Sequence, residues 1–284
     1  MRAGWADVNG KLIRSDEAQI SVFDRGFMWG DSVVEATRVH AGVPFELDAH
    51  ISRLLRSVSY AGLRAPPHHE FRDRAERLLA HAPATDGVLR LCLTAGLDTG
   101  TVPISGETEP NSVLTLTETP ALAPLAERGV DALVSTFQQV QRLALDPRAG
   151  TGSGLALVLA AREARTLGYA EAIVFDHQGF AVGSATDALF AWVHDCWYTP
   201  PAECAHGEIA RGVALELLAA NDEPFVEHPL REDDLQSADE MLLVGSLRAV
   251  TPVIALNGDP VGAGKVGEAT ARLADWFAAR WLPR

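Results

Sequence analysis

The sequence predicts an α+β protein folded as two domains, and three observations carry that expectation. Short apolar runs of strand character are mixed with stretches whose apolar residues recur at helical spacing, with no internal repeat. A break at Thr119-Pro120-Ala121-Leu122-Ala123-Pro124 interrupts the pattern, and two prolines this close continue neither a helix nor a central strand. The chain's 284 residues suffice for two cores. The expected division is a small N-terminal domain over 1–118, a linker over 119–125 and a larger C-terminal domain over 126–284.

In the first half, Gln19 to Phe23 reads as a short strand. Val33 to Val39 and Val43 to Leu47 read as a hairpin turning at Ala41-Gly42. Asp48 is the expected N-cap of a helix from Ala49 to Ala61, whose Ile51, Leu54, Leu55 and Val58 form one apolar stripe. A second helix is expected from His69 to Leu79, then strands at Gly87–Thr94 and Ser112–Thr117. After the break come a strand at Asp131–Thr136 and an Ala-rich helix from Leu155 to Leu167, closed by Gly168. Short strands follow at Glu171–Asp176, Phe180–Val182, Ala188–Val193, Met241–Val244 and Val253–Leu256, with helices at Arg211–Ala220 and Ala269–Trp281.

Composition narrows the function classes. Hydrophobic residues at 47% and charged residues at 22% are ordinary for a globular protein. A net charge of −14 opposes nucleic-acid phosphates and anionic lipid, so neither nucleic acid nor membrane is an expected partner. The N-terminus lacks a signal-peptide core and no apolar run reaches membrane-span length, which makes the cytoplasm the expected location. The three cysteines, Cys92, Cys196 and Cys204, have no metal-ligand spacing, and no metal is expected. Cys92 reads as a small core residue and Cys204, beside Glu203 and His206, as a candidate thiol.

Several ordered motifs stand out: "DRGFMWGDSVVEATRV" and "GVPFELDAHISRLLRS" between Ile20 and Ala61, "GVLRLCLTAG" at Gly87–Gly96, "REARTLGYAEAIVFDHQGFAVGS" at Arg162–Ser184, then "WYTPP", "EIARG", "ADEMLLVGS", "VTPV" and "VGAGKVG". In these the chain resembles the class IV, or fold-type IV, family of pyridoxal phosphate enzymes. That family includes branched-chain aminotransferases, D-amino-acid aminotransferases and aminodeoxychorismate lyases. The resemblance covers nearly the whole chain except about 100–141. It implies a small α/β sandwich followed by a larger domain with a pseudo-barrel, assembled as a homodimer.

The resemblance also implies a lysine that forms a Schiff base with the cofactor. The chain has two lysines, Lys11 and Lys265, and neither falls on the matching segment, Asp146-Pro147-Arg148-Ala149-Gly150-Thr151-Gly152-Ser153-Gly154. Counting back from the following helix puts the lysine position at Ala149 or Gly150. Arg148 is the nearest base, but a guanidinium stays protonated and is no Schiff-base nucleophile. The aromatic that supports the cofactor hydroxyl is Gly154, the ring-nitrogen glutamate is Gly183, the asparagine of the usual ending is Ala188, and the phosphate-binding threonine is Ala210. Retained positions are Arg53, which matches the phosphate-anchoring arginine, with Ile209, Arg211 and Ser246. Each lost charge-assisted hydrogen bond removes roughly 1.5–3 kcal/mol, so the expectation from sequence is that no cofactor is used.

What remains is an expected anion site. Arg25, Arg38, Arg53, Arg90 and Arg211 lie on family-like segments, and Arg90 matches an arginine on the substrate-carboxylate side. Arg25 and Arg38 equally suit structural ion pairs with Asp24, Asp31 or Glu35. Thr151 and Ser153 join Arg148 as catalytic candidates. Gly150-Thr151-Gly152-Ser153-Gly154 reads either as a backbone cradle for a phosphate or carboxylate, or as a flexible loop. His50 and Lys265 read as structural. The leading expectation is a PLP-independent lyase or isomerase acting on a small anionic carboxylate. The alternatives are a PLP-dependent aminotransferase or aminodeoxychorismate-type lyase using Lys265, and a non-catalytic binding or partner subunit.

Overall fold

The structure is a computed structural model describing residues 4–81, 86–97, 108–119, 125–205 and 208–281. Prolines 120 and 124 of the expected linker, and His206, lie outside the described residues. The chain divides into two compact units. One is Met1–Ala121 with Ala149–Ser153; the other is Leu122–Arg148 with Gly154–Arg284.

The first unit contains β1 (Trp5–Val8), β2 (Lys11–Arg14), α1 (Arg25–Trp29), β3 (Ser32–His40), β4 (Val43–Pro44), α2 (Leu47–Ala61), α3 (His68–His81), β5 (Gly87–Thr94) and β6 (Asn111–Glu118). Its six strands run in the order β2-β1-β6-β5-β3-β4, all antiparallel. The helices α2 and α3 cover one face. Ile51, Leu54 and Val58 of α2 and Phe71, Ala75 and Leu78 of α3 pack on Val33, Val39, Leu89, Leu91, Leu93 and Leu114. Each such aliphatic side chain contributes about 1.5–3 kcal/mol by leaving water. The fully buried Asp7 carboxylate ties the sheet to α3 through Arg74 at 2.6 Å and Arg77 at 2.8 Å.

The second unit contains α4 (Leu125–Arg128), β7 (Val130–Val134), α5 (Leu155–Thr166), β8 (Glu171–Phe175), β9 (Ala181–Ser184), β10 (Ala188–Val193), β11 (Cys196–Thr199), α6 (Glu208–Ala220), β12 (Phe225–Glu227), α7 (Glu232–Gln236), β13 (Glu240–Gly245), β14 (Ala249–Leu256), β15 (Asp259–Pro260) and α8 (Glu268–Trp281). Eight strands follow the path β12-β11-β10-β13-β14-β7-β8-β9, with β15 paired to β14. The sheet curls, so that β9 also approaches β10. Every residue of β8 is buried, because β8 has a core on each side. Ala172 and Val174 pack under Ala160 and Ala164 of α5, while Ile173 and Phe175 join Leu189, Leu235 and Leu243.

Three expectations from sequence need correction. Gln19 to Phe23 is not a strand: Val22 and Phe23 are 64% and 60% exposed, and Asp24 instead caps α1 by accepting from the Gly26 N–H at 2.7 Å. Asp48 does not cap α2. The chain turns at Glu46, whose φ is 47°, and the Asp48 carboxylate pairs with Arg72 at 2.7 Å. Cys92 lies outside the helix-covered core. It pairs across from Val34 on β3, in register with Arg90 rather than with the inward leucines, and burial pushes its thiol up to about 11.

Candidate functional site

The segment matched to the lysine position is docked on β3. The Val34 N–H donates to the Gly150 carbonyl at 2.7 Å, the Gly150 N–H to Ser57 Oγ at 3.0 Å and the Gly152 N–H to the Ser32 carbonyl at 2.8 Å. Thr151 bridges to Val33 and donates its N–H to the Ala149 carbonyl at 2.9 Å. The backbone donors of residues 150–152 therefore serve the protein itself and are not open to an anion. Glycine is required for this approach. A methyl group on Gly150 would lie 2.5 Å from the Val34 carbonyl oxygen, and one on Gly152 would overlap Ser32 Oγ.

Beneath Gly150 lies a buried charged cluster. Glu35 accepts from Arg53 Nη1 at 2.6 Å and faces His50 Nδ1 at 2.8 Å, and the His50 and Glu35 side chains are only 3% and 2% exposed. Arg53 is thus brought together with Gly150, and its charge is balanced by Glu35. The other arginines of the first unit are placed separately. Arg25 is buried and bonds Asp31; Arg38 is buried in β3 and donates to Thr119 Oγ1 at 2.5 Å; Arg90 is exposed on β5.

In the second unit, Ile209 and Arg211 lie on the first turns of α6. Arg211 is buried, donating through Nη2 to the Pro200 carbonyl at 2.8 Å and to Glu227 at 2.7 Å, while its buried Nε has no hydrogen-bond partner. That bond from Arg211 holds the Glu227 carboxyl below the usual carboxylate range, against a smaller opposing effect of burial. Gly183 is on β9, and Ala188 and Ala210 are fully buried. Ser246 is half-buried on the turn between β13 and β14. Arg148 is exposed and paired with Asp146 at 2.7 Å, and Ser153 is exposed. Both lysines are exposed, Lys11 on the edge strand β2 and Lys265 between β15 and α8.

A cavity of about 390 Å³ is lined by Gln139, Arg142, Asp176, His177, Glu203 and Cys204, among others. Burial, then the carboxylates of Glu203 and Asp176, push the Cys204 thiol up despite Arg142, so the thiol is protonated at neutral pH. No helix among the described residues is long and apolar enough to cross a membrane.

Sequence reasoning missed Arg248, which bonds Glu171 and Asp187, since 77 and 61 residues separate these partners along the chain. It also missed the β1–β2 hairpin, for which Asn9-Gly10 was the available signal. Their φ values of 53° and 82° are those a tight two-residue turn demands.

The fold agrees with comparisons to known proteins. The family described as Amino-transferase class IV matches residues 32–256, and the chain belongs to it. The chain is 31% identical over 273 residues to a Methanocaldococcus jannaschii protein with a provisional branched-chain-amino-acid aminotransferase name, covering 95% of this chain and 94% of that one. It is 30% identical over 276 residues to the D-alanine aminotransferase of Staphylococcus aureus MSSA476, covering 95% of each. A branched-chain amino acid aminotransferase of T.th., solved with pyridoxamine 5'-phosphate, superposes with a TM-score of 0.93 over 99% of this chain and 95% of that one, at 22% identity. Membership of this family, with a fold neighbour that holds the aminated cofactor, overturns the expectation that no cofactor is used. Counting lost contacts one by one treats each as independent and leaves out what shape and the retained anion contacts contribute.

Proposed function

We propose that the chain is an enzyme of small amino or keto acids that works with a pyridoxal phosphate-type cofactor held without a covalent bond to the polypeptide. The carrying observation is the docking of Ala149–Ser153. This segment is held on β3 by backbone bonds, position 150 has no room for a side chain, and position 149, the remaining match for the lysine, is alanine.

The fit of the cofactor is judged within each unit by itself. In the second unit, the unpartnered buried Nε of Arg211 and the half-buried Ser246 suit an anion, beside the start of α6 at Ile209. In the first unit, the segment matched to the lysine offers no amine. When bound, the group supplies an electron-withdrawing ring beside the substrate's reacting carbon. The chain's own part is to hold the phosphate through Arg211 and Ser246 and to keep the 149–153 segment fixed. The substrate class, a small carboxylate, follows the branched-chain and D-alanine names of the relatives. A lyase or isomerase step on the same class is the second reading.

The test pairs two probes. Pyridoxamine 5'-phosphate should bind saturably in a fluorescence titration, and borohydride reduction with pyridoxal 5'-phosphate should leave Lys11 and Lys265 unmodified. A phosphopyridoxyl group mapped to Lys265 would overturn the non-covalent reading. No binding of either probe would overturn the cofactor reading.

The same reading includes a homodimer. Phe27, Met28 and Trp29 of α1 are 75%, 48% and 51% exposed, next to Val22 and Phe23, an apolar surface suited to a second copy. Sedimentation of the purified chain as a monomer at micromolar concentration would remove this part.

A further inference from the structure

The turn that carries Ser246 is held by a residue the retained family positions do not include. Between Gly245, the last residue of β13, and Ala249, the first of β14, lie Ser246, Leu247 and Arg248. The Arg248 guanidinium reaches two carboxylates with its two terminal nitrogens. Nη1 bonds Glu171 at the start of β8, and Nη2 bonds Asp187, in the turn before β10, at 2.5 Å. Those carboxylates are 10% and 2% exposed, and the arginine is 25% exposed.

Asp187 is itself fixed. Its N–H donates to Ser184 Oγ at 3.1 Å, and its carboxylate lies so close to Gly245 that a methyl group there would overlap Oδ1. Three chain segments, distant in sequence, therefore meet on one guanidinium: the start of β8, the β9–β10 turn and the β13–β14 turn. Burial alone would lower the arginine's proton affinity, but the two carboxylates outweigh it and keep the charge in place.

We infer that Arg248 is a positioning residue, whose forked bonds to Glu171 and Asp187 fix the β13–β14 turn so that Ser246 meets the ligand's anionic group. This inference rests on the proposed function, which makes Ser246 an anion contact. Arginine is suited to the task because its planar fork holds two carboxylates at a set angle, which a lysine ammonium does not. A turn released from this clamp still exists, but its hydroxyl and backbone groups lose their fixed placement.

The experiment measures the affinity of the full chain for pyridoxamine 5'-phosphate, with thermal melting as a control. Arg248→Met should weaken binding on the order of tenfold, as expected when a contact group is misplaced by a fraction of an ångström. It also leaves two buried carboxylates unpaired, so it should melt lower for purely structural reasons. The triple variant Arg248→Met, Glu171→Gln, Asp187→Asn separates the two effects, because it removes the buried charges along with the clamp. The expected result is a melting temperature restored toward that of the unaltered chain with the affinity still reduced. Recovery of affinity together with melting temperature would overturn the positioning role, as would unaltered binding in Arg248→Met. If the unaltered chain itself binds no pyridoxamine 5'-phosphate, the proposed function fails first and this inference with it. Binding by the unaltered chain that none of the variants weakens sinks only the role of Arg248.

Discussion

The 149–153 segment in the first unit and the β13–β14 turn in the second are both short connections that carry candidate site residues, yet they are held by opposite means. The first is fixed by backbone hydrogen bonds to β3 and by the absence of side chains at Gly150 and Gly152. The second is fixed by side-chain charge, through Arg248 and its two buried carboxylates. A backbone-held segment tolerates change wherever its side chains point away and fails where they point in. A charge-held turn depends on three particular side chains and on their balance.

The largest expected effect comes from placing an amine at residue 149. Ala149→Lys, incubated with pyridoxal 5'-phosphate and reduced with borohydride, should acquire one phosphopyridoxyl group at residue 149 by peptide mass mapping. Gly150→Lys should stay unlabelled at residue 150, because its β-carbon meets the Val34 carbonyl and the Glu35 and Arg53 side chains crowd what lies beyond it. Equal labelling of the two variants would break the contrast drawn at this segment.

Next comes the charge-held turn. Arg248→Met leaves Glu171 and Asp187 buried without their counter-ion and should cost about 3–5 kcal/mol in urea unfolding. A loss below about 1 kcal/mol would show that water reaches these carboxylates freely. Smaller again is Gly150→Ala, expected to cost about 1–3 kcal/mol, since backbone has to shift to admit one methyl group.

The Arg211–Glu227 pair gives a pH-dependent comparison. The Glu227 carboxyl is held below its ordinary 4.5 in the folded chain, so its contribution is fully present above that value and is lost as pH falls through the folded value. Glu227 is 43% exposed, so solvent screens the pair and the effect is small. The melting temperatures of the unaltered chain and Glu227→Gln should differ near neutral pH and converge in acid below 4.5. A gap that widens on acidification contradicts the assigned direction. The smallest effect belongs to Arg148→Ala, whose exposed pair with Asp146 should leave the melting temperature unchanged.

Legibility from sequence followed the range of the interactions. Helices α2, α3, α5 and α8 were readable because their apolar stripes and end signals are local. The hairpin of β3 and β4 was readable from Ala41-Gly42, whose φ values are 48° and 80°. Gln19 to Phe23 misled because its apolar alternation is that of a strand, while the exposure of Val22 and Phe23 depends on what the rest of the chain leaves uncovered. At the candidate site, the sequence shows that neither Lys11 nor Lys265 falls between Asp146 and Gly154. The closure of position 150 was not legible, since a glycine's neighbours are set by tertiary packing. Arg248 was invisible for the same reason: nothing local marks its partners on two other segments.

Concentrated solution sets two forces on this molecule against each other. The oily helix Arg25–Trp29 rides on a body whose formal charge is −14, so any self-association has to overcome long-range repulsion before short-range contact begins. Dissolved salt shortens that repulsion to within about 10 Å at 0.1 M while leaving apolar contact intact. Copies of the chain should accordingly adhere more tightly in brine than in dilute buffer, the reverse of an assembly knitted from opposite charges.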